Sequence, residues 1–143
     1  MINLLTGIDS TASALDAERI RMDVIAGNIA NANVTRGVDG KPYQRQDVVF
    51  ESVLRAQQGL DSPEAGSQMV RIARVQKDSR PPRMIYNPGH PDANKDGMVA
   101  MPNINIHEEM VDMIASSRSY EANLAVVKNA RTMAMQALSI GKH

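Results

Sequence analysis

Both ends of this 143-residue chain carry long apolar stripes at helical spacing, and the stretch between them does not. Leu5, Ile8, Ala12, Leu15, Met22, Ala26 and Ile29 recur at steps that place them along one face of a helix. Met110, Met113, Tyr120, Leu124, Val127, Ala134 and Leu138 repeat the rhythm near the other end. A helix with such a stripe must bury it, and two stripes of similar length at opposite termini are candidates to meet. The length is that of one domain with a modest core.

The ends of these helices are written in the sequence. The first is expected from about Leu4 or Asp9 to about Asn31, with Asn3, Thr6 and Asp9 as possible caps. Asn28, Asn31 and Asn33, then Thr35, Gly37, Gly40 and Pro42, stop it. The second begins at a capping Asn105, where Glu108 is placed to reach back to the Asn105 amide, and Glu109 and Asp112 suit the positive end of the helix dipole. It runs to about Ile140, with Gly141 as the stop and Lys142 and His143 behind it. Between the helices, Asp47 to Phe50, Met69 to Val75, Arg83 to Tyr86 and Met98 to Met101 read as short strands, and Gln57 to Gln68 has the composition of a mobile loop. The fold class is therefore α+β, with terminal helices (1–35 and 105–143) pairing as an antiparallel coiled coil around a small β-rich middle domain (36–104).

Each helix has more apolar surface than one seam requires. Val111, Ile114, Ala122 and Ala125 lie beside the main stripe of the second helix, Val126, Ala130, Met133, Ala137 and Ile140 line another flank, and Ile20, Val24 and Ile25 stand off the seam of the first. Either the β segment covers these flanks or several neighbouring chains do.

Composition removes most other functions. Sixteen basic residues balance sixteen acidic ones with no long block of either sign, which gives nucleic acid or an anionic membrane nothing to hold. One Phe, three Tyr and no Trp leave few rigid side chains for a small-molecule pocket, while ten Met suit adaptable contact surfaces. With no Cys there is neither disulfide nor thiolate site. No run approaches the roughly 20 apolar residues that span a bilayer. Ala12-Ser13-Ala14 imitates a signal-peptidase site, but the first basic side chain is Arg19 and Asp9 interrupts the apolar run, so no cleaved signal peptide is expected.

Three places imitate sites. Asp92, Asn94, Asp96 and Gly97 match the first half of an EF-hand loop, yet Asn103 stands where the bidentate Glu belongs. His107-Glu108 lacks the second His of a zincin helix, and His90 sits in a Pro-rich turn. No catalytic residue, metal or cofactor is expected.

Read as words, these segments become specific. Arg21 to Asn33 (RMDVIAGNIANAN) resembles the N-terminal signature of bacterial flagellar rod and hook proteins, and Glu109 to Asn123 (EMVDMIASSRSYEAN) resembles their C-terminal helix. Tyr86 to Ala93 and Tyr43 to Phe50 fit the same family, and the short middle points to a proximal rod subunit. Val34 intervenes before Thr35 where the family often has Thr directly after the last Asn. The resemblance implies a non-enzymatic building block of the periplasm-spanning shaft of the flagellum, exported without a cleaved signal peptide through the flagellar type III apparatus. It implies partners that are copies of itself and other rod proteins, with both helices in an inner coiled-coil layer and the middle outside.

The expected assembly interface comprises Leu5, Ile8, Leu15, Met22, Ile25, Asn28, Ile29, Asn31 and Asn33 on the first helix. On the second it comprises Met110, Met113, Ile114, Tyr120, Asn123, Leu124, Val127 and Leu138. Asn28, Asn31, Asn33 and Thr35 are read either as bridges to a neighbour or as a local helix cap. Arg118 and Glu121 are read as subunit anchors or as a solvated flank. The competing function is a soluble coiled-coil adaptor or export-associated module that binds one partner helix.

Overall fold

A computed structural model describes residues 2–55 and 67–140, with side-chain environments for 7–52 and 69–140. Two long helices enclose four strands in chain order: α1 (Ile2–Ala30), β1 (Gln46–Arg55), β2 (Ser67–Lys77), β3 (Arg83–Tyr86), β4 (Met98–Met101) and α2 (Ile106–Ile140). The architecture is α+β, as the helical periodicity at the ends and the β-branched runs between them predict. At 1.5 Å per residue the 35-residue α2 is about 52 Å long.

The strands form two separate two-stranded sheets, β1 with β2 and β3 with β4. β3 and β4 are antiparallel, in a register that sets Arg83 opposite Met101 and Tyr86 opposite Met98. β1 and β2 are longer than the sequence reading of 47–50 and 69–75. Both outlast their apolar runs because charged residues continue the pairing, as in the exposed Glu51–Arg71 ion pair at 3.3 Å. Ser67 and Gln68, read as loop, belong to β2, and the remainder of that expected loop, 57–66, lies outside the described residues.

The chain groups into two compact units, and neither is purely helical or purely β. One comprises 1–20, 49–74 and 116–143; the other comprises 21–48 and 75–115. The second unit buries Ile25, Ala32, Val99, Pro102 and Ile104 together with the polar Asn28 and Glu109. Buried residues described in the first unit are only the small Ala17, Ser116 and Ala130.

Local chemistry fixes the turns of the second unit. Asn31 Nδ2 donates back to the Gly27 carbonyl at 2.8 Å and so helps close α1, and the chain returns through a Tyr43 N–H to Val34 carbonyl bond of 3.1 Å. Gly97 closes the turn into β4 at φ +74°, where a Cβ would stand 2.9 Å from Tyr86 Cε2 and 3.2 Å from Pro88 Cβ. Only glycine fits there, on backbone and steric grounds alike. In the same turn Asn94 Oδ1 accepts from the Asp96 and Met98 amides, both at 2.9 Å, and Asp92 accepts from Thr35 Oγ1 at 2.8 Å. The EF-hand-like string thus forms an Asx turn around Asn94, with the Asp92 carboxylate tied to Thr35. His90 Nδ1 accepts from the Asp92 amide at 3.1 Å, the turn role read for it.

At the start of α2, Asn105 Oδ1 accepts from the His107 amide at 3.1 Å, the N-cap the sequence predicts. Glu108 does not complete a capping box. It is exposed and lines a recess with Arg45, Arg80 and Arg83. The expected stop at Gly141 with Lys142 and His143 lies outside the described residues.

Candidate assembly surface

A buried polar knot organises the second unit. Asn28, 1% exposed, donates from Nδ2 to the Gln46 carbonyl at 2.8 Å and to Glu109 Oε2 at 3.0 Å. Its Oδ1 accepts from the Gln46 amide at 2.9 Å and from the Tyr43 hydroxyl at 3.2 Å. Glu109, also 1% exposed, takes Arg45 Nε on its other oxygen at 2.6 Å. One amide therefore ties α1 to β1 and α2 with its whole hydrogen-bonding capacity, and the carboxylate is compensated in place. Burial, reinforced by the nearby Glu109 charge, pushes the Tyr43 hydroxyl above its ordinary range. Burial works against the Arg45 charge, but the Glu109 hydrogen bond and charge outweigh it and raise its pKa.

Sequence reasoning missed this knot. Glu109 was assigned to the helix dipole, but it stands four residues before Met113 and seven before Ser116, on the side of α2 that packs. That phase was the available signal. The packed line of α2 runs through Glu109, Met113, Ser116, Tyr120, Asn123, Val127, Ala130 and Ala134. In the first unit Ser116 donates to Glu18 of α1, through a short contact with Oε2 and at 3.4 Å to its carbonyl. The inward seam of α2 is more polar and smaller than the stripe drawn from hydrophobicity alone.

The larger apolar residues face outward instead. Met110 is 52% exposed, Ile114 53%, Leu124 51% and Leu138 72%, and Val126, Met133, Met135 and Ile140 are exposed beside them in sequence. Ile8, Leu15, Met22 and Ile29 of α1 are half-buried, as are Met113, Tyr120, Asn123 and Val127 of α2, while Ile25 is buried. Asn31 is half-buried, Asn33 exposed, and the Leu5 side chain lies outside the described residues. Arg118 and Glu121 are exposed on α2.

Large apolar side chains of α2 thus stand in solvent, while its three fully buried positions are Glu109, Ser116 and Ala130. Comparison with known proteins gives the class. Residues 8–37 match the family model described as flagella basal body rod protein, and residues 95–140 match that of the flagellar basal body rod FlgEFG protein C-terminal region. The flagellar basal-body rod protein FlgC of Borreliella burgdorferi is 40% identical over 149 residues, an alignment covering 97% of this chain and 98% of that protein. FlgC of Bacillus subtilis is 40% identical (94% of this chain, 96% of that protein), and FlgC of Salmonella typhimurium 36% (97% and 98%). This chain belongs to the FlgC family of flagellar basal-body rod proteins, which are structural and not enzymes. Among the described residues no helix is long and apolar enough to cross a membrane.

Proposed function

We propose that this chain is a structural subunit of the proximal flagellar rod, part of the periplasm-spanning shaft that transmits torque and surrounds the export channel. The carrying observation is the outward apolar face of α2 in a unit whose own described buried residues are only small ones. Fully burying one Leu or Met side chain contributes roughly 1.5–3 kcal/mol, so several such residues per subunit hold an assembly collectively.

The terminal helices pair antiparallel in the inner layer of the rod, and the β-rich middle faces outward. Supporting this are the Asn28–Glu109 bond, near the end of α1 and the start of α2, and the Ser116–Glu18 contact, earlier on α1 and later on α2. Ile8, Leu15, Met22, Ile29, Met113, Tyr120, Asn123 and Val127 serve that pairing. Asn33, Met110, Ile114, Leu124 and Leu138 meet neighbouring copies and other rod proteins. Asn31 caps α1, and Ile25 and Asn28 hold the subunit's own frame. The chain reaches the rod through the flagellar type III export apparatus.

Replacing Leu124 and Leu138 together by Asp tests the assembly face. Removing two exposed side chains leaves subunit stability within about 0.5 kcal/mol per site. Electron microscopy of basal bodies is expected to show the rod missing or truncated, and swimming to be lost. Intact rods and normal motility would refute the assignment of this face.

A further inference from the structure

A groove of ≈ 590 Å³ runs between α1 and β2 in the first unit. Its walls are tied where the Val70 N–H donates to Ser13 Oγ at 3.2 Å, and the small Ser13 and Ala17 leave space beside that line of approach. Ile20 of α1 and Met69 and Ile72 of β2 give it an apolar lining that the subunit itself leaves partly open: Ile20 is 42% exposed, and Met69 and Ile72 are only half-buried. The charged residues of the lining are Asp16 and Arg71, and they are not equivalent. Arg71 is held by Glu51 at 3.3 Å, whereas Asp16 is exposed and forms no ion pair among the described residues. The groove therefore carries one uncompensated negative charge between apolar walls.

The matching surface is a face of α2 in the same unit. Leu124, Lys128, Arg131, Met135 and Leu138 follow one another at steps of four and three, which sets them in one line along the helix. All five are exposed, and neither Lys128 nor Arg131 forms an ion pair among the described residues. No acidic residue stands between Ala122 and Ile140, so this end of α2 is purely basic. Charge selects this face over the other apolar surfaces of the helix. Val126, Met133 and Ile140 lie on a flank without a cation, and Met110 and Ile114 stand among Glu108, Glu109 and Asp112. The line also runs beside the seam of Asn123, Val127, Ala130 and Ala134 rather than through it, so α2 presents it while packed in its own subunit.

We propose that the α1–β2 groove receives the Leu124–Leu138 face of α2 from a second copy of this chain, with Asp16 taking Lys128 or Arg131 between apolar contacts on either side. This is an amphipathic helix laid into a groove, where apolar anchors supply affinity and the charge sets register. The groove and the helix face lie at different places on one chain, so the contact is heterologous, and its repetition along an axis builds an open helical array. The proposal rests on the rod-subunit reading and names the surface that receives one of its apolar faces.

The chain has no cysteine, so introduced pairs report without background from native thiols. Ile20→Cys, on the groove wall, is combined in turn with Leu124→Cys and Met135→Cys, which cover both directions in which the helix can lie. Purified basal bodies are oxidised with copper–phenanthroline and run on non-reducing gels. The chain is expected in the basal bodies, with at least one combination giving cross-linked multimers that neither single variant gives. If the chain is present and neither combination cross-links, the groove contact is overturned while the rod reading stands. If the parent chain is absent from basal bodies, both fall. In a second experiment, Asp16→Arg is expected to lower the amount of the chain in basal bodies by about tenfold or more, since it sets like charges together. Reversing Lys128 and Arg131 to Asp in the same chain is expected to restore it. Asp16 is exposed and without an ion pair, so its replacement leaves the fold intact. An unchanged amount in Asp16→Arg, or a loss that the reversed pair does not rescue, would overturn the proposal.

Discussion

Replacing Asn28 by Ala removes four hydrogen bonds from a group that is 1% exposed. The half-buried Tyr43 hydroxyl can turn to water. The Gln46 amide, the Gln46 carbonyl and one oxygen of buried Glu109 lose their partner at a site the alanine does not fill. Each buried polar group left unmatched costs about 1–3 kcal/mol, and water entering the half-buried side of Gln46 keeps these losses toward the lower end, so the sum is about 3–5 kcal/mol. That is a large share of the ~5–15 kcal/mol that holds a domain. In urea, with a slope near ~2 kcal/mol/M, the midpoint should fall by about 1.5–2.5 M at unchanged slope. Asn28→Asp keeps the shape but replaces the Nδ2 donor to Glu109 by a second carboxylate oxygen. It should destabilise at least as much at neutral pH and recover partly in acid as one carboxylate protonates. A midpoint shift equivalent to less than about 0.5 kcal/mol in Asn28→Ala would refute the framework role. If such a variant were also absent from basal bodies, the amide would be a bridge between subunits, as the helix-end asparagines allow from sequence alone.

Other expectations follow from single contacts. Gly97→Ala meets both a positive φ and a 2.9 Å approach to Tyr86, whereas Gly40→Ala shares the positive φ (+70°) with nothing within 4 Å. Thermal melting should show the Gly97 variant clearly less stable, and Gly40→Ala losing only the roughly 1–2 kcal/mol of a left-handed L-residue. The Arg80 hydrogen bonds hold the Asp78 carboxyl below its ordinary pKa of 3.8, so their stabilisation is present above that pH and lost as pH falls below it. Asp78→Asn should flatten this part of an acid titration followed by circular dichroism. Tyr43 has its pKa raised above the ordinary 10.0, so the folded state retains its proton, and stability falls as pH rises past about 10. Tyr43→Phe should remove that alkaline loss, and an unchanged alkaline profile would argue against Tyr43 as its source.

The helices were legible from periodicity because a 3.6-residue repeat over thirty residues is hard to imitate, and the end of α1 and the start of α2 because asparagines punctuate them, but α1 already runs from Ile2, so Asn3, Thr6 and Asp9 lie within the helix and do not cap it. β3 and β4 were read at their observed limits, since Pro82, Asn87, Gly97 and Pro102 bracket them. β1 and β2 were read too short, because a two-stranded ribbon is not packed on one consistent face and its alternation is weak. Of the apolar stripe read on α2, Met113, Tyr120 and Val127 are half-buried, whereas Met110, Leu124 and Leu138 face solvent.

By itself the sequence determined two long helices, a β-rich middle, the absence of a thiol site and the words that mark a rod protein, because these depend on local spacing and residue type. Which face of α2 turns inward was decided by tertiary structure. Asn28, Tyr43, Arg45, Gln46 and Glu109 come from three separate stretches of chain, and only their convergence makes a buried carboxylate tolerable. Once Glu109 and Ser116 are drawn in by their partners, helical geometry rotates Met110, Ile114 and Leu124 outward, where a neighbouring subunit can cover them.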